Sequence, residues 1–367
     1  MKHDKVWLIL FSILLMYSCS TSSDDSNDNL VIEEEIELYF PPISATAWES
    51  STPSDLGWNE TALIDLYNYL DEKNSKGFII LKNGKIVVEK YFNDHNQNAD
   101  WTWFSAAKSL TATAIGIAQD ESIININNKT SDYLGSNWSS LTQEQQDAIT
   151  VKHHLTMTTG LEDNIESPLI WACTLPNCFT FNSIPNTRWS YHQGAFTVLQ
   201  DMITQNSGVD FKTYFETKIL DKVGMAGSWN NILSLNVFSS NTRSMARFGL
   251  LMLNKGTWDE TEIVSKNYFN EMTNTSQNLN KSYGYLWWLN GKESFMTPGP
   301  QQTFQGSLVP NAPSDMIAAL GANDQKIYVI PSQKLVVIRC GESAGVEQLA
   351  NSSFDNDLWE KINAVIN

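Results

Sequence analysis

Apolar and polar positions alternate with different periods along the chain, and each change of period marks an element. Leu63, Leu66, Tyr67 and Leu70 recur at i, i+3, i+4 and i+7, the stripe of an amphipathic helix. Residues 78–92 (FIILKNGKIVVEKYF) set two β-rich runs around Asn83-Gly84, a pair that tolerates left-handed backbone and predicts a hairpin. The stretch 105–118 (SAAKSLTATAIGIA) is small and apolar nearly all round, which predicts a helix inside the protein. Further helical stretches fall at about 194–206 and 242–254. Strand signals return at Met316–Leu320, Ile327–Ile330 and Leu335–Cys340, with residues 331–334 (PSQK) as a turn, and a last helix is expected from Val346 to Val365.

Helix and hairpin come early, a long mostly helical middle follows, and strands with a helix close the chain. That order predicts an α/β (α+β) body in one domain, residues 49–367, with a helical insertion at about 109–245. The expected architecture is an antiparallel sheet with the N- and C-terminal helices on one face and the helical subdomain on the other.

The first residues follow a different logic. Lys2 and Lys5 precede an apolar run, Val6 to Tyr17, whose 12 residues are too few to span a bilayer comfortably but suit a secretory signal. Ser18-Cys19 then resembles the cleavage point of a bacterial lipoprotein, so residues 1–18 read as signal peptide and Cys19 as the lipidated residue. Residues 20–29 (STSSDDSNDN) are a solvated acidic stretch, and residues 19–48 read as a flexible tether. The expected location is therefore the bacterial cell envelope, with the membrane met only through the lipid anchor.

Composition narrows the rest. The 367 residues carry 24 Lys+Arg against 41 Asp+Glu, a net charge of −17, which argues against nucleic acid as partner. Four cysteines are too few for a disulfide-built scaffold. With Cys19 lipidated, Cys173 and Cys178 are close enough to bridge, and Cys340 ends an apolar strand as a buried thiol. His153 and His154 lack metal-ligand spacing, so neither metal nor cofactor is indicated. A monomer acting on a small molecule is expected.

Three segments can carry chemistry. Ser105-x-x-Lys108 puts a hydroxyl and an amine on one face of a helix start, where backbone N–H groups favour developing negative charge. A lysine in a buried helix has its pKa lowered toward that of a general base. The plain alternative is a capping serine with a lysine reaching to the surface. Tyr191, in the run Thr187–Gly194, can shuttle a proton if Lys108 or Arg188 lies close; its plain alternative is an aromatic core residue. Gly321-Ala322 ends a strand, where glycine permits close approach and the next N–H can complete an oxyanion hole. Tryptophans cluster near these segments: Trp101 and Trp103 precede Ser105, Trp171 and Trp189 precede Tyr191, and Trp287-Trp288 follow, either as core or as an apolar wall for substrate.

Taken together, these segments resemble the serine β-lactamase and penicillin-binding-protein superfamily, in its class C and esterase branch. Ser105-x-x-Lys108 is similar to the first motif, and Tyr191-His-Gln193 to Tyr-x-Asn. Gly321 falls where Lys-Thr-Gly or His-x-Gly belongs. Residues 151–161 (VKHHLTMTTGL), 245–253, 283–288 and 325–331 also resemble family segments, and the run Gly321–Gln325 is most similar to 6-aminohexanoate-dimer hydrolases. The resemblance implies a Ser105 acyl-enzyme, Lys108 and Tyr191 as proton-transfer groups, and Ala322, Gly321, Gln193 and Trp288 around the oxyanion and substrate. Two departures shape the expected activity. Ala319 stands where β-lactamases carry the Lys or His that holds a substrate carboxylate, and Gln193 replaces Asn. Both favour an ester or amide over a β-lactam; a D-Ala-D-Ala-type peptidase or β-lactamase, and a non-catalytic binding or sensor lipoprotein, are the competing readings.

Overall fold

The computed structural model describes residues 37–44, 46–163, 173–232, 235–345 and 351–367. The signal sequence, Cys19, the first part of the tether and Trp171 lie outside the described residues.

Helix α1 (Glu60–Glu72) opens with Asn59 accepting the Ala62 N–H and buries Leu63, Leu66 and Leu70. Strands β1 (Ser75–Lys82) and β2 (Lys85–Tyr91) pair antiparallel, with Lys82 opposite Lys85. The two residues between them, Asn83 and Gly84, take φ of 53° and 82°, as the predicted hairpin requires. Gly84 is also sterically necessary, because a Cβ there would lie 1.9 Å from the Tyr39 carbonyl oxygen.

That contact shows where the domain begins. The tether was expected to run to residue 48, but residues 39–44 and 46–48 are pinned on the domain. The Tyr39 N–H reaches Asn83 O, Trp48 Nε1 reaches Gly84 O, and Arg243 and Arg247 donate to the carbonyls of Thr46 and Pro42. Aromatic side chains seal the contact, for Phe40 meets Trp258 edge-on at 5.2 Å and Arg247 lies over the Trp48 ring at 5.3 Å.

Two short strands, β3 (Trp101–Thr102) and, further on, β5 (Leu235–Ser240), join β4 (Ser228–Ile232) in a three-stranded antiparallel sheet ordered β3-β5-β4. The middle of the chain is thus helical but not purely so. Its main helices are α2 (Ala107–Asp120), α3 (Gln193–Asn206) and α4 (Thr242–Leu253). The chain then returns to the main sheet through β6 (Trp288–Leu289), β7 (Ile317–Gly321), β8 (Gln325–Ile330) and β9 (Leu335–Gly341). The six-stranded order is β2-β1-β9-β8-β7-β6, with every pair antiparallel. Helix α5 (Ser353–Ile366) closes the fold. It starts behind a Ser352 capping box rather than at Val346. The Asn59 N–H donates to Val365 O, tying α1 to α5.

Both faces of the sheet are covered, so β7, β8 and β9 are buried along their whole length. On one face Gly249 of α4 lies so close to Val336 that a Cβ would meet its Cγ1 at 2.4 Å. On the other, Trp359 of α5 meets Tyr328 edge-on at 5.6 Å. That second face also buries charge. Asp355 accepts from Lys326 Nζ at 2.8 Å and from Tyr328 Oη at 2.5 Å, and Asp324 lies 3.1 Å from the same ammonium.

Removing one member of such a group leaves the others desolvated without their partner. Asp355→Ala is therefore expected to lower the unfolding free energy by about 3 kcal/mol. A urea midpoint equal to that of the wild type would contradict this.

Candidate active site

The backbone around Ser105 is fixed from three sides. Trp101 and Thr102 pair with Ser240 and Ser239 of β5, and the Trp103 N–H donates to Phe238 O. Trp103 Nε1 donates to Ser240 Oγ at 2.8 Å, which anchors the buried indole. Phe104 then takes φ of 48°, unusual for a bulky residue, and a 3₁₀ turn (Phe104–Ala106) carries Ser105 into α2. The helix proper starts at Ala107, two residues later than its sequence pattern suggests. From the sheet side, the end of β7 abuts this turn: a Cβ on Gly321 would lie 2.1 Å from Trp103 O and 3.0 Å from Ala106 N. Glycine is needed at 321 for that approach, and it brings the backbone entering Ala322 against the backbone of the Ser105 turn.

Lys108 lies one helical turn on and is 2% exposed. Its Nζ is 3.0 Å from Ser105 Oγ and donates to Gln193 Oε1 at 2.6 Å. Nζ also sits over the rings of Phe196 (4.2 Å to the centroid) and Tyr191 (4.8 Å). Ring faces favour an ammonium modestly, but among the described residues no carboxylate pairs with Lys108. Burial wins: desolvation holds its pKa well below the usual 10.5. Gln193 keeps this amine at the hydroxyl, a role that the longer side chain fills at the position where the resemblance has Asn.

Tyr191 enters from the segment before α3, with its hydroxyl beside that of Ser105. Burial raises its pKa, and the neighbouring Ser105 hydroxyl opposes part of that rise. Its ring is held in an aromatic cluster. Trp288 stacks on it with centroids 6.1 Å apart at 23°, and Tyr283 meets Trp288 edge-on at 4.9 Å. Trp288 was expected to touch substrate; at 2% exposure it backs Tyr191 instead. Trp103, Trp189 and Trp287 are buried too, so these tryptophans are core, while Trp101 is half-buried. Arg188 is not the cation beside Tyr191, because it pairs with Asp163 at 2.6 Å.

The remaining side chains build the frame. Cys173 and Cys178 are joined as a disulfide, and Cys340 is a buried free thiol. Gly194, directly after Gln193, is wedged against Phe179 and the Cys173 carbonyl, with no room for a Cβ (2.5 and 2.7 Å). His192 caps α3: its Nδ1 accepts the Ala195 N–H, and burial lowers its pKa to about 4, leaving the ring neutral for that task. His154 is likewise structural, bonded to Ala195 O and Thr130 Oγ1. Phe196 and Tyr283 complete the site without having been singled out from sequence. Phe196 has a faint signal, three residues after Gln193 on the same helix face.

A comparison with curated protein sequences returned no match. Among solved structures, the chain is similar to one provisionally described as a 6-aminohexanoate-dimer hydrolase from Bacillus anthracis, at 18% identity and TM-score 0.66 over 89% of this chain and 88% of that one. It is similar to a penicillin binding protein from Bacillus halodurans at 16% identity and TM-score 0.59, over 82% and 99% of the two chains. A family VIII carboxylesterase matches at 13% identity and TM-score 0.62, over 83% and 97%. At such identities these likenesses speak for the fold. The family itself is shown by sequence, for the model described as Beta-lactamase matches residues 72–339, from the end of α1 into β9. With Ser105, Lys108 and Tyr191 converging inside that span, the chain belongs to the beta-lactamase family.

Proposed function

We propose that the protein is a serine hydrolase that acts by acyl transfer on an ester or amide. The observation that carries this reading is the placement of the Ser105 hydroxyl between the Lys108 amine, 3.0 Å away, and the hydroxyl of Tyr191. A neutral amine can donate one N–H to Gln193 and turn its lone pair to Ser105. Lys108 takes the hydroxyl proton as Oγ attacks the carbonyl carbon, giving a tetrahedral oxyanion. In this reading the backbone N–H groups of Ser105 and Ala322 hold that oxyanion, and donors of this kind are worth roughly 10²–10³ in rate each. Tyr191 relays the proton from Lys108 to the leaving oxygen or nitrogen, which departs as alcohol or amine. Water then attacks the acyl-Ser105 along the same proton path, releasing the acid and restoring the hydroxyl.

The substrate side of the reading rests on Ala319. This residue is buried in β7 opposite Ile327 and offers no cation for a β-lactam carboxylate. Two of the similar structures are described as a family VIII carboxylesterase and, provisionally, a 6-aminohexanoate-dimer hydrolase, which agrees with an ester or amide preference. The lipid anchor at Cys19 and the cell-envelope location belong to the same proposal, on the strength of the apolar run ending in Ser18-Cys19.

Ser105→Ala should cut turnover of p-nitrophenyl butyrate by at least about a thousandfold; retained activity would sink the assignment, and a stable penicilloyl adduct on Ser105 would shift it toward β-lactams. The pH profile of kcat/KM should rise along an acid limb as Lys108 loses its proton, with the midpoint well below 10.5 because the folded-state pKa is depressed. Lys108→Arg, always charged, should be inactive across that range; a wild-type profile flat from pH 5 to 9 with an active Arg variant would reject Lys108 as base. Expressed in a bacterium fed an alkyne fatty acid, the full chain should take up label that Cys19→Ala abolishes, and equal labelling of both would remove the anchor.

A further inference from the structure

The turn after β7 is held from behind by side chains that have no place in the proton path. Gly321 pairs with Gln325 across it, and both Asn323 and Asp324 adopt left-handed backbone, φ 57° and 60°. Non-glycine residues stay in that region only where their surroundings over-determine it. Gln325 is completely buried; its Nε2 donates to the carbonyls of Ala322 (3.2 Å), Asn323 (2.8 Å) and Gly341 (2.7 Å), while its Oε1 accepts the Gly341 N–H (3.0 Å). Arg339, also fully buried, donates Nη1 to Asn323 O (3.0 Å) and Asp324 O (3.1 Å). The Asp324 carboxylate takes hydrogen bonds from Ser352 Oγ and the Ala344 N–H, and Lys326 lies beside it. Each carbonyl of the turn, from Ala322 to Asp324, is thereby captured by an amide or guanidinium side chain. The other side of the same backbone meets the Ser105 turn through Gly321.

We propose that Gln325, backed by Arg339, is a positioning residue that fixes the Ala322 N–H where the substrate oxyanion forms. The inference rests on the acyl-transfer reading and adds the group that preorganises its anion site. Gln325 touches no reacting atom. It prevents the turn from rotating its peptide planes, and a donor displaced by about 1 Å loses much of its effect on a transition state. A buried side chain whose amide N–H groups reach Ala322 O and Asn323 O in the turn and Gly341 O in β9 is more than filler, since an apolar residue of equal length would fill the same space and make none of these bonds.

The test compares Gln325→Met, of similar length but without hydrogen bonds, and Gln325→Glu, which keeps the acceptor for Gly341 but loses both N–H groups. Each is assayed with p-nitrophenyl butyrate and with butylboronic acid, whose boron adds to Ser105 Oγ as a tetrahedral anion. Thermal melts confirm folding at the assay temperature, and either variant alone suffices. The positioning role predicts a roughly ten- to hundredfold fall in kcat, a parallel fall in boronate affinity and a KM within about twofold of the wild type. Folded variants with wild-type kcat and boronate affinity, or with a loss confined to KM, would overturn it while leaving acyl transfer intact. A wild type that neither cleaves the ester nor binds the boronate would remove both the acyl-transfer reading and this inference.

Discussion

A lysine amine packed between two helices, with a serine hydroxyl on one side and a glutamine carbonyl on the other, is the arrangement on which the rest of this structure depends. In water Lys108 would be an ammonium and useless as a base. Inside α2, over the rings of Phe196 and Tyr191, it pays for burial by shedding its proton more easily. An aspartate in place of Gln193 would favour the ammonium and undo this. A neutral carbonyl acceptor orients the amine without charging it, which is why the pairing of Lys108 with an amide matters more than its distance alone.

Holding that amine requires α2 and α3 to stay in register, and the fold supplies several independent constraints. His192 caps α3 with a neutral ring, Gly194 lets the helix start press against Phe179, and Gln200 of α3 donates to Thr111 of α2 at 2.9 Å. Ser109 Oγ donates to Leu286 O, tying α2 to the segment that leads into β6. On the sheet side, buried charge around Asp324, Lys326 and Asp355 fixes the starts of β8 and α5. These polar contacts sit in the interior because each is satisfied by a partner, so they rigidify where apolar packing alone would allow sliding.

Much of this was legible in the residues. The hairpin followed from Asn83-Gly84, the last three strands from their apolar runs, and the serine–lysine pair from its spacing at the head of an apolar helix. What escaped detection had physical reasons. Strands β4 and β5 are short and carry several polar residues (Ser228–Ile232, Leu235–Ser240), so neither shows a clean alternation. The left-handed Phe104 has no sequence signal, since nothing in a phenylalanine announces positive φ. Trp288 lies beside a motif, yet proximity in sequence does not say whether a ring faces the cleft or stands behind the residue that does. Residues 39–44 and 46–48 dock through Phe40, Trp48 and several carbonyls onto Trp258, Arg243 and Arg247, partners distant in sequence that composition cannot report.

The protonation state of Lys108 decides whether this geometry is a catalytic centre or only a well-packed core. Carbon-13 NMR on protein labelled at lysine Cε, with the Lys108 resonance assigned by its disappearance in Lys108→Met, follows that amine directly. A resonance that titrates well below 10.5 makes Lys108 a neutral base at rest beside Ser105. Titration at the ordinary lysine value would contradict it, because a permanently charged Lys108 cannot accept the serine proton.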